Sequence, residues 1–197
     1  MYLQNYKDLF GKLLDRYKYF GILFPILVSM LSIINVALIS GKIRSAQFDF
    51  YFKPFFYITI FNIPFTILIL WLLMTSLLNF IDNILMQLDE EKNFSRLFLG
   101  IGYGFIFFFL SQFYTFYLFK FKIGDILEIN GLTGLVSQHG FNKMNTIAFF
   151  LFSLWCVFIN RIIYRTKIYI DVLILVLINS LYFFLSLLRS LWQNTLS

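Results

Sequence analysis

The chain has 197 residues, of which 60% are hydrophobic, 22% aromatic and only 13% charged. Soluble domains carry about 25% charged residues, so this composition excludes most soluble enzymes and nucleic-acid readers and points to an integral membrane protein. Sixteen lysines and arginines stand against 10 acidic residues, and in a multispan protein such an excess first serves topology and attraction to anionic headgroups.

Residues 1–18 place Tyr2, Tyr6, Leu9, Phe10, Leu13 and Tyr17 at steps of three and four, with Lys7, Asp8, Lys12, Asp15 and Arg16 on the other side. That period predicts an amphipathic helix lying in the membrane interface, its aromatic rings at the acyl boundary and its cations at headgroup level. A five-span transmembrane domain is expected over 19–192, followed by a short tail over 193–197. The first span covers about 20–40, and Pro25 sits near its start, where the early N–H groups have no partner in any case. Ala37-Leu38-Ile39-Ser40 is not a small-x-small cleavage site, so this span is expected to stay in the mature protein.

The second span covers about 55–81. Pro64 removes the hydrogen bond that would reach the carbonyl of Ile60, which predicts a bend. Asn62 lies beside it, and an amide facing lipid is costly, so Asn62 is expected to face another helix or repair the loosened backbone. The third span, about 97–119, opens with Leu-Gly-Ile-Gly-Tyr-Gly at 99–104. The spacing is not that of a dinucleotide loop. Instead Gly100 and Gly104 form a G-x-x-x-G pair expected to admit a neighbouring backbone.

The fourth span, about 145–164, and the fifth, about 172–188, are joined by a short link crowded by Arg161, Arg165 and Lys167, expected to set topology and contact headgroups. So short a link makes the two spans antiparallel neighbours. Asp171 opens the fifth helix, where a carboxylate complements the helix dipole and can reach Arg165 or Lys167. Of the three tryptophans, Trp71 and Trp155 lie inside spans, and Trp192 is the expected interfacial anchor.

Five spans put Lys7, Lys12, Arg16, Lys18, Lys92, Arg96, Arg161, Arg165 and Lys167 on one side of the membrane. Lys42, Arg44, Lys53, Lys120, Lys122, Lys143 and Arg189 fall on the other. The larger group marks the cytoplasmic side, which places the N-terminus there. Cys156 is the only cysteine and lies in an apolar stretch, where it packs as a small hydrophobe. His139, the only histidine, shares a polar loop with Asp125 and Glu128, too few ligands to predict a metal site. Neither H-E-x-x-H nor G-x-S-x-G occurs, so no enzymatic activity and no cofactor are expected. The 28 phenylalanines are spread through every span and read as lipid-facing and helix-packing residues.

Two functional readings follow from the polar residues of the spans. Scattered singly, they suit a helical bundle that docks other membrane proteins or a second copy, or shapes the bilayer. Were Asn35, Asn62, Gln112, Asn160 and Asn179 to meet in one polar cavity near the midplane, they would suit a small transporter or permease subunit.

Three stretches carry a family resemblance: Leu-Trp-Leu-Leu-Met at 70–74, Asn-Phe-Ser-Arg-Leu-Phe-Leu-Gly-Ile-Gly-Tyr-Gly at 93–104, and Phe-Leu-Phe-Ser-Leu-Trp-Cys-Val-Phe at 150–158 running into the basic link. In this order they resemble the Yip family of five-span membrane proteins, and in particular its compact bacterial branch. The chain departs from that pattern in having no proline over Phe105–Leu110. The resemblance implies a non-enzymatic role in a bacterial inner membrane and transfers no catalytic residue; eukaryotic members of that family interact with Rab-type GTPases. The first expectation is physical: after an alkaline carbonate wash the chain should remain in the membrane pellet and leave it only with detergent. Recovery as a freely dissolved species would contradict the reading.

Overall fold

The computed structural model describes residues 9, 12–13, 16–42, 53–86, 91–123, 140–164 and 166–195. They form five long helices, α1 (Lys18–Lys42), α2 (Lys53–Met86), α3 (Glu91–Phe121), α4 (Phe141–Tyr164) and α5 (Ile168–Thr195). A chain surrounded by lipid must satisfy its backbone N–H and C=O groups internally, and uninterrupted helix does so residue by residue. Four segments are long and apolar enough to cross a bilayer: Lys18–Lys42, Tyr57–Ile81, Phe94–Phe121 and Lys143–Tyr164. The described apolar part of α5, Ile168–Phe184, is shorter. α5 runs on to Thr195, into the segment read as a short tail over 193–197; the sequence from Ser186 to Thr195 contains no glycine or proline to stop it.

α3 is the hub, packed against α1, α2 and α4. α1 runs parallel to it and the two stay together along their length. Gly21 meets α3 at Leu99 and Gly102, Asn35 meets Gln112, and at the far end the Lys42 ammonium donates to the carbonyl of Ile123. α2 and α4 are antiparallel to α3, the first through Trp71 stacked on Phe98 with ring centroids 3.8 Å apart. On the other flank Phe152 of α4 meets Phe105 edge-on at 5.2 Å. α5 packs on α4, with Tyr182 stacked on Phe149 at 4.2 Å. The buried core is the inner face of this arrangement: Trp71, Leu78, Leu97, Ile101, Phe105, Phe152, Cys156, Ile159, Ile174 and Ile178.

Large apolar side chains also cover the outside, among them Phe61, Leu73, Phe80 and Phe183. In water such a surface would drive aggregation, but lipid tails are as apolar as leucine, so these residues gain little by turning inward. What holds the helices together must therefore be close packing and polar contacts. Glycine supplies the first. A Cβ on Gly102 would stand 1.9 Å from the carbonyl oxygen of Gly21, and one on Gly21 would stand 2.4 Å from that of Leu99. α1 and α3 thus touch backbone to backbone.

Gly100 and Gly104 act differently from the sequence expectation. The atoms nearest a Cβ at these positions belong to side chains of α4: Ile159 at 2.6 Å for Gly100, and Trp155 at 2.7 Å and Phe152 at 2.9 Å for Gly104. They are sockets for bulky side chains, while the backbone approach falls to the glycine between them. The alternation follows from the helix period, since residue 102 is turned by about 200° from residue 100 and so faces a different neighbour.

Of the amphipathic N-terminal segment, Leu9, Leu13 and Tyr17 are described; they are exposed and spaced four apart. The Tyr103 hydroxyl donates to the carbonyl of Tyr17, joining the end of this segment to the hub. Gly102→Ala and Gly21→Ala are each expected to lower stability in detergent by about 1–3 kcal/mol, the usual cost of overpacking. Gly41→Ala, which meets nothing within 4 Å, should leave a thermal melt unchanged.

Candidate functional site

The polar residues of the spans fall into three places. The first is the glycine-rich turn of α3, braced from both sides by indoles. Trp71 of α2 donates through Nε1 to the carbonyl of Phe98 at 2.7 Å, and Trp155 of α4 donates to the carbonyl of Gly100 at 2.8 Å. Sequence reading placed both tryptophans inside spans without assigning them a task. The signal available was chemical: an indole N–H far from water needs an acceptor. Residues from three distant stretches of the chain are brought together here, Trp71 of α2, Gly100 to Gly104 of α3 and Trp155 of α4.

The second place is the set of amides. Asn35 is 2% exposed, and its Nδ2 donates to the Gln112 carbonyl oxygen at 2.8 Å and to Gln112 Oε1 at 2.9 Å. Asn179 Nδ2 donates to Ser153 Oγ at 3.1 Å and to the carbonyl of Leu175 at 2.8 Å. Asn160 of α4 is fully buried and makes an interaction of its own. Two further pairs escaped the sequence reading: Ser111 Oγ to Asn145 Oδ1 at 2.7 Å, and the Tyr164 hydroxyl to Asn79 Oδ1 at 2.6 Å. These contacts join α1 to α3, α5 to α4, α3 to α4 and α4 to α2.

Asn62 departs from its expectation. Its carboxamide neither packs into a neighbouring helix nor repairs the backbone; it is exposed and makes no hydrogen bond to a described residue. The Asn62 carbonyl is bonded instead by Thr66 Oγ1 at 3.0 Å, two residues beyond Pro64. α2 is helical on both sides of that proline. Asn62 lies in a cleft of about 420 Å³ between α1 and α2, lined by Ser32, Thr59, Asn62, Ile63, Thr66 and Ile67.

The third place is the link between α4 and α5. Asp171 is buried, with its side chain 7% exposed, and its Oδ2 lies 3.2 Å from Arg161 Nη1. Thr166 Oγ1 donates to its Oδ1. Lys167, one of the two expected partners, does not supply this contact. Lys167 is exposed with its ammonium over the Tyr169 ring at 6.0 Å, while its carbonyl accepts the Ile170 and Asp171 N–H groups that open α5. Arg165 lies outside the described residues, as do His139, Asp125 and Glu128 and the side chain of Trp192. Helix alternation puts Lys12, Arg16, Lys18, Arg96, Arg161 and Lys167 at this end of the bundle, and Lys42, Lys120, Lys122 and Lys143 at the other.

Among the described residues no three His, Cys, Asp or Glu side chains converge as metal ligands, and Cys156 is fully buried in the core. Neither protein-family models, curated proteins nor solved structures match this chain.

Removing Arg161 would leave a buried carboxylate without its counter-charge, a loss of about 3–5 kcal/mol when both groups are dry. Because Arg161 itself is 44% exposed, about 2–3 kcal/mol is the reasonable share here. Arg161→Leu should therefore lower the melting temperature in detergent clearly. Asp171→Asn should cost less, since the exposed guanidinium finds water or headgroups, and Lys167→Ala should stay within about 0.5 kcal/mol of the parent.

Proposed function

We propose that this chain is a non-enzymatic, Yip-like membrane protein that acts as an interaction or membrane-organising subunit. We place it in a bacterial inner membrane, with the amphipathic segment and the basic α4–α5 end on the cytoplasmic side. The observation that carries this reading is the pairing of the span polar groups with one another, Asn35 with Gln112, Ser111 with Asn145, Asn179 with Ser153 and Asn79 with Tyr164. Polar groups engaged in this way stitch helices together, each contact contributing about 0.6–2 kcal/mol. They are not left pointing into a shared path where a solute would strip off its water.

The basic end supports the same assignment. Arg161 and Lys167 stand where anionic headgroups of the cytoplasmic leaflet would lie, and each cation near such a surface adds about 1 kcal/mol of attraction. The cleft containing Asn62 favours a second reading, a small permease that holds a polar solute between α1 and α2. The two separate in reconstituted liposomes. The protein is expected to leave the uptake of small polar solutes at the level of empty vesicles, while crosslinking in native membranes traps it beside a second membrane protein or a second copy. Saturable uptake of a polar solute, lost in Asn62→Leu, would move the assignment to the permease.

A further inference from the structure

The interaction reading leaves open which face of the bundle docks, and the structure offers a specific answer that rests on that reading. α2 presents an outward face on which Ile58, Phe61, Phe65 and Ile69 are all more than half exposed, and Asn62 stands among them beside the cleft shared with Ser32. Ser32 of α1 gives the depth of that cleft. It lies about 21 Å along the helix from Lys18 and about 15 Å from Lys42, at about 1.5 Å per residue. A hydrocarbon core is about 30 Å thick, so the cleft lies well inside it, far from water at either surface.

A primary carboxamide carries two N–H donors and a carbonyl acceptor. At that depth lipid offers it nothing to bond. Of the hydroxyls that line the cleft with it, Ser32, Thr59 and Thr66, Thr66 has spent its hydrogen on the Asn62 carbonyl, and no hydrogen bond joins the amide itself to a described residue. We propose that a second copy of this chain covers this face, in a two-fold dimer in which α2 packs against α2 and the two Asn62 amides bond each other across the axis.

The choice of occupant follows from symmetry. Copies inserted with the same topology carry Asn62 at the same depth. A two-fold axis along the membrane normal then brings the two amides together with no search for register, each donating to and accepting from the other. A different membrane protein would need a matching polar group at that level, and a water-borne solute would meet a cleft flanked by phenylalanine and isoleucine. Phe61 and Phe65 lie against each other as a tilted pair with centroids 5.9 Å apart, forming an apolar shoulder that a symmetry mate can grip while it shields the amide pair from lipid.

The test uses the full chain in native membranes. Single cysteines are placed at Ile58 and Phe65 on the proposed face and at Val176 on α5 as an exposed control; native Cys156 is fully buried and does not compete. Mild oxidation is expected to give a disulfide-linked dimer from Ile58→Cys or Phe65→Cys and none from Val176→Cys. Asn62→Leu should weaken self-association, followed by energy transfer between labelled copies, about tenfold, equivalent to about 1.4 kcal/mol. Asn62→Gln should keep most of it. Because the Asn62 side chain holds nothing within its own subunit, Asn62→Leu should leave the monomer's melting temperature unchanged, which separates lost docking from lost folding. Three results would overturn the proposal: crosslinking that is equal at Val176, association that Asn62→Leu does not weaken, or a protein monomeric at every density. Crosslinks from Phe65→Cys to a different membrane protein alone would reject the second copy while leaving the interaction reading intact. Solute uptake that depends on Asn62 would reject both.

Discussion

Among the described glycines the tightest approach is between two backbones, where Gly102 of α3 meets Gly21 of α1 with no room for a Cβ on either. Burying oil against oil in a membrane yields little, so association depends on how near two helices come and on what polar bonds they exchange. The glycine contact brings α1 and α3 together at one end, and the Asn35–Gln112 and Lys42–Ile123 bonds continue the seam to the other. Parallel helices cannot be consecutive in the chain across a short loop, so α2 must carry it back between them. Its tryptophan then fills the space beside the glycines.

The polar bonds explain why the bundle has a single arrangement and not merely a compact one. Each amide or hydroxyl in a span is costly without a partner, so a rotation of α4 that preserved hydrophobic contact would still break Ser111–Asn145 and Asn179–Ser153 together. The Arg161–Asp171 pair acts on the same principle at the edge. There the guanidinium remains half in water, which lowers its desolvation penalty and leaves the attraction favourable.

Much of this organisation is legible in the sequence. Each helix contains the segment expected as a span and starts before it, because hydropathy reports residues that tolerate oil whereas a helix can continue past them; among the described residues four of the five are long and apolar enough to cross. The α4–α5 antiparallel pair follows from a link too short to permit anything else. What could not be read is the choice of partners. Gly21 and Gly102 lie on different helices 81 positions apart, while the G-x-x-x-G pattern detects spacing only within one helix. Likewise nothing in the order of residues tells Asn35 that Gln112 will face it, or Asp171 that Arg161 will come closer than Lys167. These choices are made by the rotation and depth of whole helices.

The bond from Tyr103 to the carbonyl of Tyr17 ties the residue that precedes α1 to the hub helix. Tyr103 follows Gly102 in the chain, so the anchor point adjoins the backbone contact of Gly102 with Gly21. The start of α1 is thus held by two neighbouring contacts on α3, the Tyr103 hydroxyl on the Tyr17 carbonyl and Gly102 against Gly21, so its position and its rotation are fixed at the same level.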